Sequence, residues 1–263
     1  MFENLLSGHP GIGRSKPNGV HLKNWREISN DPNAPEVRAY LQAILLRGLG
    51  RRVEDPELFT ADFVRGRTVL DVGCIGHVVE RSETEYWRFG AIAKIARHAL
   101  GIDILPEAID KVRARGYNVL VADATGDADL GERFERVVIG DVIEHVDDPV
   151  RLIRFAARHL APGGLILCTT PNPFYVGYLV EMFRHGMIIE NAEHVTFIIP
   201  SNAIEIANRA GVELVGLHYQ GGGGNTAMRR FLISLLKHTG LIGYEMFSRS
   251  YVYIFRGQSD AAE

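Results

Sequence analysis

From Arg67 onward the chain alternates between short apolar segments and amphipathic segments, and this alternation limits its fold more than any other feature. Apolar runs of about 4–8 residues predict strands, and apolar residues recurring every three or four positions predict helices. Such an alternation indicates a parallel sheet covered by helices on both faces. The last two strands lack the usual crossover pattern and are expected to pair antiparallel. The predicted strands are 68–72, 100–104, 118–122, 134–140, 165–169, 213–219 and 251–255, and the predicted helices are 83–99, 106–115, 149–160, 175–184 and 201–210.

The chain ahead of this alternation has a different character. Residues 1–34 are rich in Gly, Pro and Asn without a clear period, whereas 35–49 carries apolar residues at helical spacing. We therefore expect an N-terminal arm with one helix over 1–65, a main domain over 66–257 and a tail over 258–263. The long apolar stretch at about 221–250 is expected to be a helical insertion.

Four successive predicted strands end in or beside an aspartate, namely Asp71, Asp103, Asp123 and Asp141. Aspartate is depleted within strands, so its recurrence at this position needs a reason. Any one of the four could cap a helix, but capping does not account well for all four together. Ligands of open α/β sheets bind beyond the carboxyl ends of the strands. The sequence therefore predicts a binding site along this rim.

The motifs on these strands resemble, in order, those of class I S-adenosylmethionine (SAM)-dependent methyltransferases. They are VLDVGCIG, GIDI, ADAT, FERVVIGDVIEHVDDP and HLAPGGLILCTTPNP, and together they cover about residues 66–220. EHV followed by DDP is most similar to the group that contains ubiquinone-type and sugar O-methyltransferases. The resemblance implies a Rossmann-like, doubly wound, mostly parallel seven-stranded sheet with an antiparallel last strand. A dinucleotide dehydrogenase, the rival on this fold, would need G-x-G-x-x-G at the first turn, which is absent here.

The resemblance also implies which residues bind the cofactor SAM. The acid after the second strand would accept hydrogen bonds from the ribose hydroxyls, and the acid after the third from the adenine amino group. Glycines in the first turn would let the backbone approach the ligand closely. The implied pocket residues are Asp71, Gly73, Cys74, Gly76, Asp103, Ile104, Asp123, Ala124 and Asp141.

One departure from the pattern lies between the first two motifs. Asp71 and Asp103 are separated by 32 positions, against about 20 in the usual unit. The additional segment, residues 83–89, is aromatic and charged. It either covers the pocket or packs Trp87 and Phe89 into the core.

Methyl transfer to a hydroxyl requires a group that accepts its proton, and histidine is suited to that task near neutral pH. His194 and His145 are the candidates, since both are expected on the rim where the acceptor must lie. Asp141, Glu144 and His145 follow at i, i+3 and i+4 and would share one face of a helical turn. They could hold a divalent ion, but two carboxylates are few for a hard cation, so no metal is assigned.

Residues 226–239 form a basic amphipathic pattern preceded by four glycines, 221–224. Such a helix either packs on the main domain or serves as a lid, a homodimer face or a peripheral membrane contact. A small molecule or sugar is the expected methyl acceptor. The alternative is a catalytically silent SAM-binding or scaffold domain.

Charge, cysteine positions and the first residues bear on the partner and the compartment of the protein. The formal net charge of -3 argues against nucleic acid as the main partner. Cys74 and Cys168 are expected on strands too far apart for a disulfide, and the first ten residues lack a signal-peptide pattern. We therefore expect a cytoplasmic, reduced protein.

Overall fold

A computed structural model describes residues 24–46, 50–53, 55–76, 79–221 and 244–257. These residues form one mixed sheet with helices on both faces. The strands are β1 (Gly50–Val53), β2 (Thr68–Val72), β3 (His98–Asp103), β4 (Val119–Val121), β5 (Phe134–Gly140), β6 (Leu160–Pro171), β7 (Val212–Gly221) and β8 (Ser248–Gly257). The α-helices are α1 (Pro35–Leu46), α2 (Pro56–Val64), α3 (Arg88–Ile95), α4 (Pro106–Ala114), α5 (Pro149–Arg158), α6 (Val176–His185) and α7 (Pro200–Ala210).

The sheet order is β1-β7-β8-β6-β5-β2-β3-β4. Strand β8 runs antiparallel to both of its neighbours, and the other described pairings are parallel. The predicted doubly wound, mostly parallel sheet with an antiparallel last strand is therefore confirmed. Strand β1, which lies within the segment expected to be an arm, adds an eighth strand beside β7.

Two apolar layers hold the helices against the sheet. On one face, α5 and α7 pack on β2, β5, β6 and β8, and α1 contributes partly buried residues. On the other face, Phe63 and Val64 of α2 and Ile92 of α3 cover Val69 and Val138. The central strands β2 and β5 therefore place side chains in both buried layers, as strands of a doubly wound sheet do.

The chain order places the binding crevice. The chain proceeds from β2 to β3 and β4 on one side, and then returns to β5 and β6 on the other. The switch in direction therefore falls between β2 and β5, where ligands of such sheets bind.

Two sequence-based expectations need revision or lie outside the described residues. The helix predicted over 83–99 is a 3-10 turn at Val79–Glu83 and helix α3 at Arg88–Ile95, and β3 already begins at His98. The proposed helix at 226–239 and most of the 221–224 glycines lie outside the described residues. Within the described ranges, no helix has the length and apolar character needed to cross a bilayer.

Candidate active site at the carboxyl ends of the strands

The first glycine turn follows β2 and is fixed by its neighbours. Gly73 has φ +70°, and its amide and that of Cys74 both donate to the Ile102 carbonyl on β3. A Cβ on Gly73 would lie 2.5 Å from Val142 Cγ2, so only glycine fits there. Gly76 has φ +79° with open space around it. The two glycines thus leave the turn without side chains at both positions.

Asp103 ends β3 with its carboxylate held in place. Its Oδ2 accepts from the Ile75 amide at 3.0 Å and its Oδ1 accepts from the Leu105 amide at 3.3 Å. Each carboxylate oxygen has two lone pairs, so capacity remains for the two hydroxyls of a ribose. The next residue, Ile104, is 65% exposed and offers an apolar surface beside that carboxylate. The placement fits the ribose-binding role that the resemblance implies.

Asp123 follows β4 and is exposed. Its Oδ1 accepts from both the amide and the hydroxyl of Thr125 at 2.7 Å, and these bonds lower the pKa of the Asp123 carboxyl. The other oxygen, Oδ2, remains for a donor such as an adenine amino group. Ala124 is buried in the hydrophobic core.

The side chains of Asp71 and Cys74, two of the implied pocket residues, are both buried. The carboxylate of Asp71 is fully buried and is ion-paired with Arg88 at 3.0 Å. Burial raises the pKa of Asp71 to about 6 despite the partial offset by Arg88. The Cys74 thiol is buried as well, and burial raises its pKa. Both side chains are therefore inaccessible to a ligand, which only the backbone of these residues could contact.

The segment that lengthens the first unit packs on this turn. Trp87 is 4% exposed and donates from Nε1 to the Cys74 carbonyl at 2.6 Å, and Phe89 is fully buried. Trp87 also makes edge contacts with Phe89 and Tyr117. The expectation that these aromatic residues enter the core is therefore the one that the geometry supports. Arg88, which lies between them, was not singled out from the sequence.

Asp141 follows β5 in an unusual backbone conformation. Its φ is +53°, the only positive value among the described non-glycine residues. Its amide donates to the Thr169 side chain at 3.1 Å, and its Oδ1 accepts from the Thr169 hydroxyl at 2.9 Å. Strain of this kind persists only where surrounding bonds impose it, and it is concentrated at functional sites. Asp141 precedes the short 3-10 turn at Ile143–His145.

That turn, a 3-10 helix at Ile143–His145, brings both predicted catalytic histidines together. The rings of His145 and His194 are 4.7 Å apart between centroids, in an edge-to-face arrangement. His194 Nε2 lies 4.0 Å from Glu144 Oε1, and His194 Nδ1 lies 3.2 Å from Glu190 Oε2. The Val195 amide donates to the Glu144 carbonyl at 2.9 Å and so ties the His194 loop to the turn.

Glu144 stands at the centre of this cluster. Its side chain is fully buried, and no hydrogen bond of good geometry reaches either carboxylate oxygen among the described residues, although the Thr170 hydroxyl is near. Burial and the nearby Asp141 carboxylate raise the pKa of Glu144 to about 8. A buried acid without partners is costly, so a functional reason for it is expected.

The cluster also has the donors of a cation site. One ligand atom each from Glu144, His145 and His194 lies within 4.8 Å of the others. Two imidazoles and one carboxylate suit transition metals better than Mg²⁺. Asp141, which the sequence grouped with Glu144 and His145, is not part of this set. The sequence offered no means of seeing His194 beside Glu144, because the two are far apart in the chain.

The fold and this rim together define a class I methyltransferase scaffold, for which S-adenosylmethionine is the cofactor. A family model described as a methyltransferase domain matches residues 38–217, more than half of the chain, so the chain belongs to that family. The bare glycine turn and the oriented carboxylate of Asp103 fit the cofactor.

Two curated relatives are ubiquinone biosynthesis O-methyltransferases. The one from Methylococcus capsulatus is 30% identical over 165 residues, which cover 58% of this chain and 65% of the relative. The one from Hydrogenovibrio crunogenus is 27% identical over 164 residues, covering 57% and 64%. The matched part therefore spans just under two thirds of the length of these relatives. A solved SAM-dependent methyltransferase from Archaeoglobus fulgidus is 18% identical, with a TM-score of 0.49 over 83% of this chain and 99% of that one.

Proposed function

We propose that this protein catalyses SAM-dependent O-methylation of a small molecule or sugar, with Glu144, His145 and His194 acting as one proton-accepting unit. The observation that carries the proposal is the meeting of two mostly buried imidazoles around a buried carboxylate, at the carboxyl ends of β5 and β6. The names of the curated relatives support an O-linked acceptor.

The cofactor supplies an electrophilic methyl group on its sulfonium, so the protein's task is to place the acceptor and manage one proton. The glycine turn and Asp103 would hold the cofactor at β2 and β3, across the crevice from the histidines. An acceptor hydroxyl placed between them would be near both groups. The cofactor would give up its methyl group and leave as S-adenosylhomocysteine, and a histidine ring would take up the proton that the hydroxyl loses.

Glu144 is coupled to this proton transfer through its own charge. Burial raises the pKa of Glu144 to about 8, so it is largely protonated near neutral pH, and a positive charge forming on the neighbouring ring would favour its ionised form. His194 is flanked by Glu144 and Glu190, and His145 lies 3.9 Å from Glu193 through Nδ1. Either ring is therefore placed to accept the proton.

The test is turnover with labelled SAM against a panel of phenols, catechols and sugars, for wild type, His194→Ala and His145→Ala. Replacing the histidine that acts as the base should lower the methyl-transfer rate by roughly 10²–10⁴-fold and leave the affinity for S-adenosylhomocysteine unchanged. Replacing the other histidine should lower the rate less. His98→Ala is the matched control, since His98 pairs with Glu132 at the opposite end of the sheet. Wild-type rates in both site variants would refute the proton-accepting unit.

The same assay separates this proposal from a silent binding domain. Binding of S-adenosylhomocysteine without methyl transfer to any member of the panel would favour the silent domain. Adding a chelator tests the cation site: loss of activity that Zn²⁺ or Mn²⁺ restores would mean that the cluster works with a metal ion. Unchanged activity would leave proton transfer as its role.

A further inference from the structure

Arg88 bridges the crevice between β2 and β5. Its Nε donates to Asp71 Oδ1 on β2 at 3.0 Å, and its Nη1 donates to the Gly140 carbonyl at the end of β5 at 2.8 Å. Its Nη2 donates to the carbonyls of Val72 and Gly73 at 3.2 and 3.1 Å. The guanidinium therefore lies at the switch point of the sheet, where a ligand of this fold binds.

The sequence makes room for this side chain. A Cβ on Gly140 would collide with Nη1 of Arg88, so the end of β5 must be glycine for the guanidinium to lie there. The neighbouring Trp87 holds the Cys74 carbonyl, which means that two consecutive residues secure three consecutive carbonyls of the first turn. The longer first unit thus delivers a cation to the centre of the cofactor site.

The guanidinium has capacity left for an anion. It carries five N–H groups, and its hydrogen bonds within the described residues occupy four of them. Its side chain is 31% exposed, whereas its partner Asp71 is fully buried behind it. Of the two side chains in this ion pair, only that of Arg88 has accessible surface. The exposed carboxylate of Asp141 follows directly after Gly140.

We propose that Arg88 binds the α-carboxylate of the amino-acid end of the cofactor, with Asp141 beside it for the ammonium group. A zwitterion presents one anion and one cation a short distance apart, and this edge of the crevice presents the complementary pair. Guanidinium groups are well suited to carboxylates, since their N–H groups match the carboxylate in geometry and charge. The inference rests on SAM as cofactor and not on the methyl acceptor.

The experiment compares two ligands by calorimetry, without any acceptor present. S-adenosylhomocysteine has the carboxylate, and S-adenosyl-3-thiopropylamine is the same molecule without it. Wild type should prefer the first by about tenfold to a hundredfold, the range of a hydrogen bond to a charged group. Arg88→Met should bind both ligands within about twofold, because the group that distinguishes them is gone.

Controls separate this role from a structural one. Arg97→Met removes an arginine paired with Glu135 at the far end of the sheet and should keep the wild-type preference. Arg88→Lys keeps the charge without the fork and should retain an intermediate preference, which also covers the case that Arg88→Met fails to fold. Equal weakening of both ligands in Arg88→Met, or an undiminished preference, would overturn the proposal. So would a wild type that binds both ligands alike.

Discussion

Replacing Glu144 with glutamine should change how the stability of the protein depends on pH. Glutamine has nearly the same shape but does not ionise. In the folded protein, burial raises the pKa of Glu144 from 4.5 to about 8. Between those two values the folded state holds a proton that the unfolded state has released, so the free energy of unfolding falls as pH rises. The stabilising contribution is complete below about pH 4.5 and is lost above about pH 8.

The size of the effect follows from the same values. Each pH unit in that window is worth about 1.4 kcal/mol, which gives a total of about 5 kcal/mol as an upper bound. A charged His194 nearby would reduce this change in the free energy of unfolding, because an imidazolium favours the ionised carboxylate. Wild type should therefore lose several kcal/mol relative to Glu144→Gln between pH 5 and pH 9.

Denaturant unfolding of both proteins across that pH range, in chelator-treated buffer, measures the difference. Comparing the two proteins removes the contributions of all other titrating groups. Glu193→Gln serves as the control, since Glu193 lies 3.9 Å from His145 of the same cluster but is exposed. Parallel pH profiles for wild type and Glu144→Gln would refute the reasoning that Glu144 is buried without compensation.

Three further outcomes are expected. Gly73→Ala should destabilise the protein by about 2–4 kcal/mol in denaturant unfolding, from the positive φ and the collision with Val142; adding Val142→Ala should recover only the part due to the collision. Asp103→Ala should weaken binding of S-adenosylhomocysteine by about 1.5–3 kcal/mol in calorimetry, and an unchanged affinity would remove Asp103 from the ribose site. Trp87→Phe should cost about 1–3 kcal/mol of stability by leaving the Cys74 carbonyl without its donor, whereas Tyr86→Phe, at an exposed position, should be neutral.

Most of the fold could be predicted from the sequence because the local apolar patterns agree with the strands and helices of the sheet. Strands β2 and β5 match the predicted ranges, since apolar runs end in polar or glycine residues there. Strand β1 was missed because Gly50–Val53 is short and carries two arginines, and its pairing with β7 depends on a distant partner. The helix start near residue 83 was wrong since charged residues in this segment form a 3-10 turn before α3.

The sequence predicted the site residues that lie at strand ends. It did not predict the contacts between side chains from distant segments. The aspartates along the rim all lie at the carboxyl ends of their strands, as expected. The pairing of Asp71 with Arg88 could not be predicted from their spacing in the sequence. The chain between them contains a 3-10 turn and loops, which have no regular period. The meeting of His194 with Glu144 depends on a backbone bond between two loops, for which the sequence carries no local signal.

Strand β8 gives this protein a particular problem during synthesis. It is the last of the described strands to be made, but it stands between β6 and β7, with Tyr251, Tyr253 and Phe255 fully buried. Until it leaves the ribosome, β6 has an open edge, and β7 with β1 has no partner on that side. An unpaired edge is a template for strands of other chains. Ribosomes add about 5–20 residues per second, so this edge stays open while β7 and everything up to β8 is translated. Newly made chains are therefore expected to aggregate most readily in this interval, and a chaperone that binds extended apolar strands would have its target at β6.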